Sequence, residues 1–148
     1  MRALLQRVNE ASVTVDGETV GTIGRGYLVF LGIAEGDGDE DLDYIVGKLA
    51  AIRLFADEDG KMNLDLKQAM GAFLLVSQFT LLADTRKGNR PSFTGAAKPD
   101  LAMAYFERAA GALRKLGFPV ETGVFGADMK VALVNEGPVT IWLDSRAR

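Results

Sequence analysis

Two short segments of the sequence carry most of the side chains that could do chemistry. Ser77–Leu81 (SQFTL) and Asn135–Thr140 (NEGPVT) each adjoin an apolar run typical of a strand, so their polar and backbone groups are expected at strand ends. The chain contains no His and no Cys, which excludes Ser-His-Asp triads, Cys-His pairs, thiolate chemistry and the usual zinc sites. An enzyme built from this sequence must use carboxylates, hydroxyls, amines, backbone dipoles or groups on its substrate.

The overall composition is that of an ordinary folded domain. The 148 residues are 48% hydrophobic and 25% charged, so we expect one domain, 1–148, with a core of its own. The absence of Cys fits a reducing compartment. The N-terminal sequence becomes charged and polar too soon for a signal peptide, and no apolar stretch nears the ~20 residues of a membrane span. These features predict a cytoplasmic protein with no membrane association.

The distribution of charge argues against some classes of ligand. A net charge of −3 does not favour wrapping a long stretch of nucleic acid, because contacts to phosphates dominate that affinity. The acidic turn at 35–41 resembles a calcium loop only superficially, since the twelfth position counted from Asp37 is Lys48. No metal or other cofactor is expected. Four basic residues lie close together and form either a local basic patch or a solvated loop: Arg86, Lys87, Arg90 and Lys98.

Hydrophobic patterns predict the strands that must position the two segments. The first third of the chain is expected to form a β-meander with a tight turn at Asp16-Gly17. A nearly continuous apolar run, 27–33, is typical of a strand buried on both faces. The complete set of predicted strands is 3–8, 11–15, 19–23, 27–33, 72–76, 120–125, 130–134 and 139–143.

Two further segments have the 3–4 residue spacing of amphipathic helices. One follows the acidic residues at 39–41, and the other begins near Pro99 and ends near Gly117. Together the elements predict an α+β fold: a mostly antiparallel sheet, or partly closed barrel, with two main helices. The expected core faces of the helices are Leu42, Ile45, Val46, Leu49 and Ile52 in the first, and Ala102, Phe106, Ala109, Leu113 and Leu116 in the second.

The two segments resemble those of the bacterial and eukaryotic D-aminoacyl-tRNA deacylases. The resemblance extends over the whole chain and includes Gln6–Val8, Lys87–Phe93 and Phe125–Met129. One five-residue motif would be weak evidence, whereas two motifs in the expected order, in a chain of fitting length, are a specific signal. The resemblance implies an enzyme that hydrolyses the ester between a D-amino acid and the 3′-terminal adenosine of tRNA.

The resemblance also implies how the site is assembled. It implies a homodimer with the active site at the interface, in which a cis Gly137–Pro138 peptide reaches into the site of the other subunit. Arg7 would brace that peptide with its fork of donors. The peptide carbonyls would hold the substrate ammonium, and an L side chain would strike rigid backbone. Glycine has no side chain to clash, so Gly-tRNA is expected to be a substrate as well.

Thr80 is a candidate nucleophile, but no His or Lys adjoins it in the sequence to activate its hydroxyl. The alternative is that the backbone N–H groups of Phe79 and Thr80 stabilise the developing oxyanion. Water would then attack with help from the 2′-hydroxyl of the tRNA. Ser77 and Gln78 would position the carbonyl or the adenosine.

Other residues have both a structural and a functional interpretation. Phe79 is expected in the core, with a base-stacking platform as the alternative. Phe125 and Met129 would line an adenine pocket or simply fill the core. Asn135 and Glu136 are expected in a turn, with Glu136 a secondary candidate for a general base.

Two other function classes remain open at the level of sequence. A small-molecule esterase would use Thr80 as its nucleophile and form an acyl-enzyme. A non-catalytic module would bind the aminoacylated RNA end and contact phosphates through its basic loop, with a shallow dependence on salt.

Overall fold

One six-stranded sheet and two helices account for most of the structure, a computed structural model that describes residues 1–148. The α+β class, the mostly antiparallel pairing and the two main helices are confirmed. A short 3-10 helix, Phe79–Leu82, follows the sixth strand. The elements are β1 (Arg2–Val15), β2 (Glu18–Ile23), β3 (Gly26–Gly32), α1 (Asp39–Ala51), β4 (Arg53–Ala56), β5 (Met62–Asp65), β6 (Ala72–Ser77), α2 (Pro99–Lys115), β7 (Val120–Thr122) and β8 (Lys130–Asp144).

The long strand β1 organises the sheet. One of its edges pairs first with β3 and then with β2, and β8 runs antiparallel along the other edge. The sequence predicted two strands here, 3–8 and 11–15. They form a single strand because β8 continues to pair beyond Asn9, with Glu10 opposite Val134.

Two strand pairs are parallel, and helices make the crossovers between them. β6 lies parallel to both β3 and β7, with α1 in the connection from β3 and α2 in the connection to β7. Parallel neighbours need such crossovers, since a tight turn can only reverse the chain. The sheet also curls towards closure. A Cβ atom on Gly21 of β2 would lie 2.8 Å from the carbonyl oxygen of Thr122 in β7.

The sheet separates two apolar clusters. The larger one lies between the sheet and the helices and contains Tyr27, Val29 and Leu31 of β3. The smaller one lies on the opposite face and contains Leu28. β3 is therefore buried on both faces, as its apolar run predicted.

Several elements differ from the sequence prediction. The hairpin of β4 and β5 was not predicted, since each strand has only four residues. The predicted strand 120–125 ends at Thr122. Leu116, expected on the core face of α2, follows the last helical residue and is 48% exposed. Neither helix is both long enough and apolar enough to span a membrane.

Candidate active site

A cavity of about 660 Å³ opens where the carboxyl end of β6 meets the start of α2. Ser77, Gln78 and Phe79 line one side of it, and Phe125 and Met129 line another. Parallel pairing places the end of β6 beside β7, which leads directly into the 125–129 segment. The fold thus brings together five of the residues that the sequence singled out for the site.

The turn at Gln78 sets the shape of this wall. Ser77 is the last residue of β6, and the Gln78 N–H then donates to the Leu31 carbonyl at 2.8 Å. This close approach of Gln78 to β3 requires that the residue after Leu31, Gly32, has no side chain. A Cβ atom on Gly32 would lie 2.8 Å from the Gln78 carbonyl oxygen. The glycine therefore lets the Gln78 backbone lie against β3.

The 3-10 helix after Gln78 presents backbone donors. The first N–H groups of such a helix have no acceptor within it. Those of Phe79 and Thr80 take part in no turn or loop hydrogen bond either. Phe79 lines the cavity and Thr80 directly follows it. Two consecutive N–H groups without an acceptor are the arrangement that can stabilise an oxyanion.

The Thr80 hydroxyl is hydrogen-bonded to the side chain of Gln78 and not to a basic group. It accepts a hydrogen bond from Gln78 Nε2 at 2.5 Å, and Thr80 does not line the cavity. Gln78 has no acceptor basic enough to take a proton from a hydroxyl. Nothing in this arrangement activates Thr80 as a nucleophile.

Phe79 is not a core residue, contrary to the sequence expectation. Its side chain is 55% exposed at the edge of the cavity. It packs edge to face against Phe93, with ring centroids 5.1 Å apart at 74°. A single aromatic after a strand end has no periodic context, so the sequence could not indicate which way it faces.

The second segment forms a large bulge in β8. Val8 pairs with Asn135 and Gln6 with Thr140, so a single residue of β1 faces four residues of β8. The Gly137–Pro138 peptide at the centre of the bulge is cis, the geometry that the resemblance implies. Both residues are exposed.

Asn135 ties the base of this bulge together. Its Oδ1 accepts from the Val139 N–H at 3.0 Å, and its Nδ2 donates to Thr140 Oγ1 at 3.1 Å. The sequence predicted only a turn residue here. Asn side chains often accept hydrogen bonds from backbone N–H groups a few residues away. The position of Asn135, four residues before Val139, is the sequence signal for this contact.

Arg7 supports the bulge from the facing strand. Its Nε donates to the Glu136 carbonyl at 3.2 Å, and its Nη1 donates to the Leu54 carbonyl at 2.5 Å. The Glu136 carboxylate lies 3.8 Å from the same guanidinium, with the Arg7 side chain only 14% exposed. Arg7 therefore contacts both the backbone carbonyl and the carboxylate of Glu136, the residue that precedes Gly137.

The bulge does not contribute to the cavity of its own chain. Arg7, Gly137 and Pro138 are absent from the residues that line it. The structure thus separates the predicted site residues into two groups on one chain: the cavity and the bulge.

The ionisable groups with shifted pKa values lie outside the cavity. Burial raises the pKa of Tyr27 to about 12, and its hydroxyl donates to the Ile52 carbonyl. Hydrogen bonds from Arg86 and Arg108 hold the pKa values of Asp84 and Asp39 below their usual range. No group of three or more acidic side chains is arranged to hold a metal ion.

Comparison with known proteins decides the family. The family model described as D-Tyr-tRNA(Tyr) deacylase matches residues 4–144. This chain belongs to that family. The D-aminoacyl-tRNA deacylase of Anaeromyxobacter dehalogenans is 58% identical over 99% of this chain and 98% of its own. That of Chloroflexus aurantiacus is 57% identical over 98% of this chain and 91% of its own.

Solved structures agree with the fold. A c-Myc DNA unwinding element binding protein has a TM-score of 0.92 and 41% identity, with 97% of this chain and 98% of that chain covered. A probable eukaryotic D-amino acid tRNA deacylase has a TM-score of 0.81, with 96% and 97% covered. At 20% identity, the second similarity supports the fold alone.

Proposed function

We propose that this protein hydrolyses the ester bond of D-aminoacyl-tRNA and releases the free amino acid and tRNA. Membership of a deacylase family makes the chain a hydrolase. The observation that carries the proposal is the single cavity shared by Ser77–Phe79 and Phe125–Met129. Because aminoacyl-tRNA is the substrate, the cytoplasm is the compartment that fits the activity.

The terminal adenosine fits the apolar part of the cavity. Phe125 and Met129 offer a flat ring and an adaptable thioether to an adenine base. The Ser77 hydroxyl makes no hydrogen bond within the protein, so it is free to bind the ribose or the ester carbonyl. In this arrangement of the substrate, the scissile carbonyl would lie close to the start of the 3-10 helix.

The chemistry then needs no nucleophilic side chain. Water attacks the ester carbonyl, and the negative charge on its oxygen is stabilised by the N–H groups of Phe79 and Thr80. The bond to the ribose 3′-oxygen breaks, and that oxygen takes a proton. The neighbouring 2′-hydroxyl of the tRNA assists the attack, which fits a chain that contains no His.

Chirality is decided by a second copy of the chain. The bulge holds Gly137 and Pro138 outside the cavity of their own chain, so in a homodimer they are free to enter the cavity of the partner. Their backbone carbonyls bind the substrate ammonium, and an L side chain collides with the backbone. Glycine carries no such side chain, so Gly-tRNA is a substrate too.

The test compares D-Tyr-tRNA, L-Tyr-tRNA and Gly-tRNA as substrates of the pure protein. Release of the amino acid is followed over time for each ester, with the spontaneous loss in buffer subtracted. We expect rapid loss of the D-ester and the glycine ester and none of the L-ester. Equal hydrolysis of the D- and L-esters would refute the chiral site, and no hydrolysis of any ester would refute the enzyme.

Thr80→Ala distinguishes this mechanism from that of an esterase with a Thr80 nucleophile. We expect kcat on D-Tyr-tRNA to fall less than about tenfold, since backbone donors survive a side-chain change. Loss of a true nucleophile would lower kcat by several orders of magnitude. Thr80→Ser is the matched control, because it keeps the hydroxyl that Gln78 binds. A collapse in Thr80→Ala that Thr80→Ser avoids would establish the nucleophile instead.

A further inference from the structure

The segment between the 3-10 helix and α2 is a loop with a fixed base and a projecting tip. Asp84 and Ser92 exchange two backbone hydrogen bonds, at 2.7 and 2.9 Å. Further along, the Ala97 N–H donates to the Ile33 carbonyl at 2.9 Å. Residues 86–91 are therefore held out from the body of the protein beside the cavity, where Phe93 and Lys98 form part of the lining.

This loop concentrates positive charge on an acidic protein. Between positions 84 and 98 there are four basic residues and one acidic residue, a local charge of +3 in a chain of −3. Arg86 is neutralised by Asp84, with Nη2 and Oδ2 2.6 Å apart. Lys87, Arg90 and Lys98 make no ion pair or side-chain hydrogen bond within the chain. They are exposed cations without an intramolecular partner.

The same edge of the cavity exposes two aromatic rings. Phe79 is 55% exposed and Phe93 36% exposed, and the two pack against each other. Arg90 lies three residues before Phe93, so their Cα atoms are at most about 11 Å apart. Exposed aromatics beside unpaired cations are the combination that binds single-stranded nucleic acid, with rings stacking on bases and cations contacting phosphates.

We propose that this rim surface, formed by Phe79, Phe93, Lys87, Arg90 and Lys98, binds the single-stranded nucleotides that immediately precede the terminal adenosine. The inference rests on the proposed function, which assigns the cavity to the terminal adenosine, and extends it to the nucleotides outside the cavity. The aromatic pair stacks a base, and the cations contact the phosphates that lead out of the cavity.

The test measures binding of a fluorescent ten-nucleotide RNA that ends in CCA, by anisotropy, between 50 and 200 mM salt. Lys87→Gln/Arg90→Gln should reduce the slope of log affinity against log salt by about 1.4, or about 0.7 for each phosphate contact in single-stranded RNA. Lys61→Gln/Lys115→Gln is the matched control: it removes two exposed cations elsewhere and should leave both affinity and slope unchanged.

Phe93→Leu tests the stacking part separately. It keeps an apolar side chain against Phe79 but removes the ring face, so affinity should fall about fivefold or more with the salt slope unchanged. The inference is overturned if both rim variants bind the RNA as tightly as the wild type, or if the control pair loses as much as Lys87→Gln/Arg90→Gln.

A parallel assay with D-tyrosyl-adenosine separates this inference from the proposed function. If the wild type hydrolyses that ester and D-Tyr-tRNA while the rim variants bind RNA normally, the rim inference fails and the function stands. If the wild type hydrolyses neither ester but its RNA binding depends on the rim residues, the function fails and the rim inference stands.

Discussion

At the scale of single residues, the bulge in β8 depends on Gly137. Its φ of +132° is one that L side chains rarely adopt, and a Cβ atom there would lie 2.7 Å from Val139 Cγ2 and 3.0 Å from the Val139 nitrogen. Arg7 Nη2 would be 3.2 Å away. An alanine must therefore displace the backbone or the arginine that holds it.

Gly137→Ala should lower the free energy of unfolding by about 1–3 kcal/mol, measured by urea denaturation. Hydrolysis of D-Tyr-tRNA should also fall in the population that remains folded, because the bulge is displaced. Gly24→Ala is the control, since a Cβ atom there meets nothing within 4 Å. A fully stable and active Gly137→Ala protein would contradict this account of the bulge.

At the scale of elements, Asp41 couples the start of α1 to the end of the chain. Its carboxylate accepts hydrogen bonds from Ser145 Oγ at 2.6 Å and from the Gly38 N–H at 2.9 Å. These bonds, that from Ser145 first, lower the pKa of Asp41 in the folded state. The stability that the ionised carboxylate provides is therefore present above its unfolded pKa, near 3.9, and is lost as pH falls through the lower folded value.

Asp41→Asn should accordingly reduce stability by roughly 0.5–1 kcal/mol at pH 7, since the amide keeps an acceptor but loses the charge at a helix N-terminus. The difference from wild type should shrink as the pH drops below about 4. Urea denaturation from pH 7 to pH 2.5 measures it. Asp43→Asn, exposed on the same helix, should show little effect, and a pH-independent difference for Asp41→Asn would rule out the linkage.

At the scale of the whole molecule, the homodimer proposed above would use the outer face of β8 as its contact surface. Alternate residues of a regular strand share a face, which groups Thr140 with Trp142, and both are exposed. Pro138, in the adjoining bulge, is exposed as well. Trp142 is 48% exposed and is the single tryptophan of the chain. If Pro138 enters a partner's cavity, Trp142 lies beside the same contact.

We therefore expect sedimentation to give about twice the chain mass of 15.9 kDa. Trp142→Arg should favour the monomer. Activity on D-Tyr-tRNA should fall in proportion to the fraction of dimer that is lost. On dilution of the wild type, tryptophan emission should shift to longer wavelength as the ring becomes hydrated. Met62→Arg, at a 58% exposed position on the β5 strand, should change none of these. A fully active monomer would exclude a site shared between subunits.

Much of the scaffold could be predicted from local pattern alone. The 3–4 spacing of Leu42, Ile45 and Leu49 indicated α1, and the apolar run of β3 indicated a strand buried on both faces. These predictions succeeded because periodicity reports which faces of an element are apolar, and burial of those faces is what drives folding. Short strands such as β4 give no such signal, and they form because a neighbouring strand supplies partners for their backbone.

The sequence alone limits the possible chemistry: a chain without His or Cys must use carboxylates, hydroxyls, amines, backbone dipoles or groups on its substrate. It also determined the family, through two motifs in order. The three-dimensional fold was needed to show that Ser77 and Met129 share a cavity, that Phe79 faces outward, and that Gly137 lies in a bulge away from that cavity. These features depend on strand register and on contacts between residues far apart in sequence, which no local pattern encodes.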